Sequence, residues 1–381
     1  MPDSTTTMTA MSTPPLAGLR VLDMSMLTPG PFATQILADL GATVLKVERP
    51  PIGDLERLAM PAYFRAYNRG KYSIALDLKQ AADRSEFDRL VRDADVFFEG
   101  FRPGAAERLG AGFERLKTLK TDLVYVSLSG FGPGGPRIEE KAHDPEFQAL
   151  AGSLHYNRGT DGKPVYNTAG PTFDYAAAMY AVVAVLASLP ARARTGAVRI
   201  EVPCFAAGFA WMFPRLVDAL ESGREIATQD IIMAGSDGKY LTVAATEDSA
   251  WPPLCKAIGR PDLLARPELA TFDGRLRHAG ELNAILRAAI ATEPRDAWAA
   301  RLAAAGVSSA PILDPHEVVD DPQVRHMDLI RHAPALHART PIYGLPTLMH
   351  VNAPDLDQHG APIRAGGWAA LSPAQAAEVV K

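Results

Sequence analysis

The chain has 381 residues, 47% of them hydrophobic and 22% charged, the composition of a soluble globular protein with room for one large domain or two. A net charge of −5 and a pI near 6.0 exclude a general attraction to nucleic acid or anionic membrane, while leaving local basic clusters free to hold a small polyanion. Cys204 and Cys255 lie far apart with no CxxC spacing, so the chain reads as a cytoplasmic protein without a disulfide framework.

Residues 1–15 are polar and lack both a basic n-region and an apolar core, and they read as a disordered tail rather than a signal peptide. "LRVLDMS" is apolar and β-branched enough for a buried strand. In "PFATQILADLG", Phe32, Ile36, Leu37 and Leu40 recur at helical spacing and Gly41 supplies the stop. "ATVLKVERP" is the next strand, so the chain opens on a βαβ unit and hence a parallel sheet. The alternation continues through "YSIALDL", "RSEFDRLVRDA", "DVFFEGF", "AAERLGAGFERLKTLK" and "LVYVSLSGFG". An apolar helix over 175–189, too short to span a membrane, and a second helix over 205–222 follow. "GKYLTVAAT" opens a smaller α+β region with helices near 250–259 and 281–305. The expected division is a tail (1–15), a large α/β domain (16–200), a linker helix (201–225), a small domain (226–310) and a C-terminal return to the large domain (311–381).

The first βα turn, "DMSMLTPGPFA", lacks the GxGxxG that a dinucleotide would need, and "SGFGPGGPR" lacks the GK[ST] of a phosphate-binding P-loop. Nine histidines are scattered, and His326 and His332 suit no usual metal pair, so no metal site is expected. Basic residues gather at the ends of the predicted elements: Arg49, Arg69, Lys71, Arg102, Arg108 and Lys141. Ligands of an open parallel sheet sit beyond the carboxyl ends of its strands, where Arg49, Arg102 and Lys141 would meet phosphates. Taken singly, each also reads as a solvated surface charge. Three acid/base candidates stand out. His143 precedes "DPEFQALAG", in which Asp144 reads as N-cap and Pro145 as the first helical residue. Asp174 falls in the first turn of the apolar helix, with Thr172 as its cap, and Glu247 ends a strand in "VAATEDSAW". Each acid also has the plainer role of complementing a helix N-terminus, and His143 that of a surface histidine.

"TPGPFATQILADLGATVLKVERP", "NRGKYSIALDLK", "DVFFEGFRPGAAERLG", "LVYVSLSGFGPGGP", "AHDPEFQALAG" and "APILDPHEVVDDP" together resemble the class III CoA-transferase, or formyl-CoA transferase, family, which includes α-methylacyl-CoA racemase. The resemblance implies a Rossmann-like large domain plus a small α+β domain in an interlocked homodimer. It also implies acyl-CoA substrates, with coenzyme A entering as part of the substrate and no prosthetic group. Transferases of the family use an aspartate that forms a mixed anhydride with the acyl group, and Asp174 matches it. Racemases pair a histidine with that aspartate as two bases across the α-carbon, supported by a glutamate; His143, with Asp144 beside it, and Glu247 match these. CoA contacts carry over onto Arg49, Arg108 and Lys141, and less directly onto Asn68 and Lys71.

The turn "TPGPFA" leans towards racemases. "NRGKYS" and "QALAG" lean towards transferases, and "DYAAA" replaces the racemase "DFxGG" at Asp174. The leading expectation is a 2-methylacyl-CoA racemase working through an enolate, with free N–H groups at a helix start holding the oxyanion. The alternatives are a CoA-transferase with Asp174 as nucleophile, and an acyl-CoA-binding homologue of weak activity.

Overall fold

The computed structural model describes residues 13–159, 162–222, 231–331, 336–350, 352–371 and 378–380. Most of the expected N-terminal tail and His332 lie outside these residues. The chain divides into a first unit, Met1–Pro214 with Met327–Lys381, and a second, Arg215–His326.

The first unit holds strands β1 (Arg20–Asp23), β2 (Thr43–Glu48), β3 (Tyr72–Ala75), β4 (Val96–Glu99), β5 (Val124–Ser127) and β6 (Val198–Glu201). All neighbours pair in parallel, in the order β3-β2-β1-β4-β5-β6. Its helices include α1 (Pro29–Asp39), α2 (Pro61–Asn68), α3 (Ala81–Arg92), α4 (Ala105–Leu109), α5 (Phe113–Leu119), α6 (Asp144–Leu150), α7 (Thr172–Ser188) and α8 (Cys204–Ser222), whose last residues belong to the second unit. Alternate strand residues face opposite sides. Val21, Val44, Phe98 and Val126 pack under α1 and α7, while Leu22, Leu45, Phe97 and Tyr125 pack under α3 and α5. Burial on both faces explains why these strands are mostly apolar, with Asp23, Lys46 and Glu48 as buried exceptions. The C-terminal segment closes the second face: Ile363 and Trp368 join its core, and the Trp368 indole donates to the Leu90 carbonyl at 2.9 Å.

The second unit contains β7 (Ile232–Ala234), β8 (Tyr240–Ala244), α9 (Trp251–Ala257), α10 (Ala279–Ile290), α11 (Arg295–Ala304), β9 (Ser308–Pro311) and α12 (Pro315–Asp320). Its antiparallel sheet, β7-β8-β9, packs Met233, Leu241 and Val243 against Leu286, Trp298 and Leu302. The single helix expected over 281–305 is two, because Pro294 cannot donate to a preceding turn. The unit is also wider than 226–310. Buried Arg295 forms a forked ion pair with Glu317, at 2.9 Å from each guanidinium nitrogen, and so ties 311–326 to this core.

Among the described residues, no helix is long and apolar enough to cross a membrane.

Candidate active site

Strand order reverses between β1 and β4, and the loops that leave these two strands diverge. Into the resulting crevice opens a cavity of about 570 Å³, lined by Ser25, Met26 and Leu27 after β1, by Gly100, Phe101 and Arg102 after β4, and by Leu128 to Gly132 after β5. Arg108, Lys141, His143, Asp174 and Cys204 complete its wall. A second cavity of about 440 Å³ adjoins it, sharing Ser25, Met26, Leu55 and Phe101, and carries Arg49 and Lys79 at the ends of β2 and β3. Both cavities are partly apolar and bordered by cations, a lining suited to a polyanion with apolar parts.

The β1–α1 turn is held from beneath by buried charges. Lys46 donates to the Ser25 carbonyl at 2.9 Å and pairs with Asp54 at 2.9 Å. Asp54 in turn accepts from the Leu27 N–H at 3.2 Å, and Leu27 sits at φ 63°, a left-handed conformation that a leucine keeps only when its surroundings hold it.

Asn68 and Lys71, expected to touch CoA, belong instead to this supporting layer. Both are buried and line neither cavity. The Lys71 ammonium donates to Asp23, the Pro31 carbonyl, Thr34 and the Asn68 amide oxygen, all within 3.1 Å. Burial brings its pKa down to about 8 against the pull of Asp23. Burial would raise the Asp23 carboxyl, but Lys71 and Lys46 outweigh it and hold the group down at about 2. All four of the Lys71 partners lie inside the fold.

The local structure around His143 and Asp144 also differs from expectation. His143 is the N-cap of α6, its N–H donating to Glu146 Oε2 at 2.8 Å, and it stands exposed on the cavity wall. Asp144 is the first helical residue and is buried. Its Oδ1 accepts from the Phe173 N–H at 2.6 Å and weakly from the Asp174 N–H at 3.4 Å; its Oδ2 accepts from Gln148 at 2.6 Å and Tyr166 at 3.0 Å. Asp144 therefore caps α7, a role expected of Thr172, which accepts from Gln148 instead. At the start of α7 the N–H groups of Phe173 and Asp174 are taken by the Asp144 carboxylate.

The Asp174 side chain opens on the cavity. Burial, and then the charge of Asp144, push its pKa up to about 7; the Cys204 thiol, donating to the carboxylate, pulls the other way. An acid poised near neutrality in a cleft marks a functional group with a physical cause behind it. Glu247 lies in the second unit, exposed after β8, where it accepts from Thr246 at 3.0 Å. Arg108 on α4 and Lys141 line the larger cavity and Arg49 the smaller one. Arg102, expected from its place after a strand, lines the larger cavity; Lys79 and Cys204 were absent from the expected contacts. Lys79 lay in plain view just past a predicted strand, but the thiol of Cys204 had no legible partner until the helices were packed.

The model of CoA-transferase family III matches residues 16–363. The chain belongs to CoA-transferase family III. Among its relatives in this family is the acetyl-CoA:oxalate CoA-transferase of Acetobacter aceti, 33% identical over 371 residues, 92% of this chain and 95% of that protein. The succinyl-CoA:glutarate CoA-transferase of Mus musculus is 31% identical and covers 83% of this chain and 76% of its own length. Among solved structures, a CAIB/BAIF family protein from Brucella suis superposes with a TM-score of 0.83 at 31% identity, covering 93% of this chain and 99% of that one. These family III relatives are named as transferases, which favours the transferase alternative over the racemase reading.

Proposed function

We propose that the protein is a CoA-transferase that moves CoA between carboxylic acids, with Asp174 as nucleophile. The observation that carries this reading is the Asp174 carboxyl on the wall of a cavity rimmed by Arg102, Arg108 and Lys141 and adjoining the cavity of Arg49 and Lys79; burial and Asp144 push its pKa up to about 7. The activities named for the relatives support it.

In this reading the CoA phosphates pair with these cations, and the thioester carbonyl lies beside Asp174. An ionised Asp174 oxygen attacks that carbonyl; the C–S bond breaks, CoA leaves as thiolate, and an acyl–aspartyl anhydride remains. The thiolate then attacks the aspartyl carbonyl, releasing the donor acid and leaving CoA on Asp174. The acceptor carboxylate reverses the two steps and carries CoA away, returning Asp174 to its starting form. The cationic rim favours thiolate and carboxylate alike as they form.

The racemase reading stands second, favoured by the placement of His143 on the same cavity wall as Asp174. One experiment separates the two. Acyl-CoA and an acceptor acid are incubated in D₂O with and without hydroxylamine. The transferase reading expects CoA on the acceptor, inactivation by hydroxylamine during turnover, a hydroxamate at Asp174 and no α-deuterium. Deuterium uptake that needs His143, without CoA transfer, would overturn it.

A homodimer belongs to this proposal. The outer face of α7 exposes Met179, Tyr180, Val183 and Leu186, and α8 exposes Trp211, too much apolar surface for a free helix pair. Sedimentation at low micromolar concentration should show a dimer and no folded monomer. Two unpaired cysteines fit a cytoplasmic location.

A further inference from the structure

We infer that Tyr166 is a positioning residue for Asp174 that acts through Asp144: its hydroxyl holds one oxygen of that carboxylate, so that the other stays against the start of the helix carrying Asp174. The inference rests on the reading of Asp174 as nucleophile.

The placement is built into the segment ahead of α7. Tyr166 is half-buried, while the residues on either side of it, 162–165 and 167–169, are exposed. The backbone is pinned just before it: the Val165 N–H donates to the Asn157 carbonyl at 2.8 Å, and the Asn157 side-chain amide donates to the Val165 carbonyl at 2.6 Å. The segment ends on Gly170, where a Cβ would stand 2.7 Å from the ring of Tyr175, the residue just after Asp174. It therefore meets the surroundings of Asp174 at two points. At the first, the Tyr166 hydroxyl donates to Asp144 Oδ2 at 3.0 Å, beside the Gln148 amide at 2.6 Å. With Oδ2 held by two donors, Oδ1 is turned to the N–H groups of Phe173, at 2.6 Å, and Asp174, at 3.4 Å.

Asp144 is only 2% exposed, and these four donors are all neutral. Its charge is spread into the bonds they make, and loss of one leaves more of that charge to act on its neighbours. The titratable groups around Asp174 are Asp144 on α6, Cys204 at the start of α8, Glu56 ahead of α2 and Tyr175 on its own helix; His143, next to Asp144 in the chain, shares the cavity wall. Of the two charges that oppose ionisation of Asp174, Asp144 acts more strongly than Glu56. Asp144, Asp174 and Tyr63 lie around the Tyr166 hydroxyl. Burial, and then the bond to Asp144, hold its pKa above the ordinary value, so it stays a donor throughout the working range. Tyr166 lines neither cavity, so it acts on the nucleophile without touching substrate.

The test follows CoA transfer across pH 5–9. Tyr166→Phe keeps the ring and removes the donor. It should move the acid limb of kcat/KM upward by about half a unit, a loss of about threefold at acid pH that fades as pH rises, with KM for acyl-CoA unchanged. In an Asp144→Asn background, where no charge is left to spread, the same substitution should leave the limb where it is. A ring-fluorinated tyrosine at position 166, whose more acidic hydroxyl donates more strongly, should move the limb of the otherwise native enzyme downward. That variant keeps the inference testable if Tyr166→Phe fails to fold. An unmoved limb, with the Asp174 hydroxamate still trapped, overturns the positioning role and leaves the nucleophile intact. So does a shift of equal size with Asp144→Asn in place, or a loss that is uniform at every pH. Absence of the hydroxamate in the wild type overturns the underlying reading instead.

Discussion

Asp144 Oδ1 accepts a hydrogen bond from the Phe173 N–H at 2.6 Å, so a carboxylate on one short helix caps the helix that carries Asp174. The relationship has two consequences of opposite sign. The cap stabilises α7, while the same negative charge makes Asp174 harder to ionise.

Neutralising that charge should separate them. Asp144→Asn keeps an acceptor for the Phe173 N–H and lowers the Asp174 pKa, so the acid limb of activity should move down by about half a unit to one unit. Asp144→Ala also removes the cap, and its stability should fall by about 1–2 kcal/mol. Activity profiles and urea midpoints of the two variants check this. An Asp144→Asn enzyme dead at every pH would instead give Asp144 a direct chemical part.

Asp174 itself should cost stability at neutral pH. Its folded pKa is about 7 against 3.8 for the unfolded group, so the folded chain binds this proton more tightly. The contribution is therefore fully present below pH 3.8 and is lost as pH rises through 7. Asp174→Asn should melt higher than the wild type above pH 7, by about 1–3 kcal/mol after allowance for the partly exposed side chain, with the gain fading towards pH 4. Calorimetry at three pH values would show it, and a gain independent of pH would point to packing.

Lys71 should behave as a residue of the fold. Lys71→Ala leaves Asp23 buried without its partner and should cost about 3–5 kcal/mol. The folded fraction should keep its KM for acyl-CoA. A variant of normal stability with weakened CoA binding would return Lys71 to the ligand site.

Arg108 and Arg49 should behave in the opposite way. Each faces a cavity, and each replacement by alanine should weaken CoA binding and flatten its dependence on salt while leaving the melting temperature nearly unchanged. Affinity unaltered at low salt would remove the residue concerned from the ligand site.

Strand–helix alternation and mostly apolar strands made the parallel sheet legible, because burial on both faces leaves few polar residues in a pattern visible without coordinates. Cations just past strand ends were legible for the same reason: in an open parallel sheet, chain position alone says which end a loop occupies. Arg49, Arg108 and Lys141 were found this way or through the family motifs, and all three line the cavities. Partnership was not legible. Lys71 and Arg108 are both basic residues near element ends, yet one is enclosed by Asp23, Thr34 and Asn68 and the other faces a cavity.

The sequence by itself determined the parallel sheet and made Asp174 one of three acid/base candidates. Only the tertiary structure decided what surrounds that acid. Asp144 is 30 residues away along the chain, yet its charge sits against the start of α7. Cys204 comes from a different helix altogether, yet lines the same cavity as that acid. Local pattern records how each segment buries its own faces. The pKa of a carboxyl depends on charges and donors within a few ångströms, whichever part of the chain supplies them, and that distance is fixed only when the helices pack.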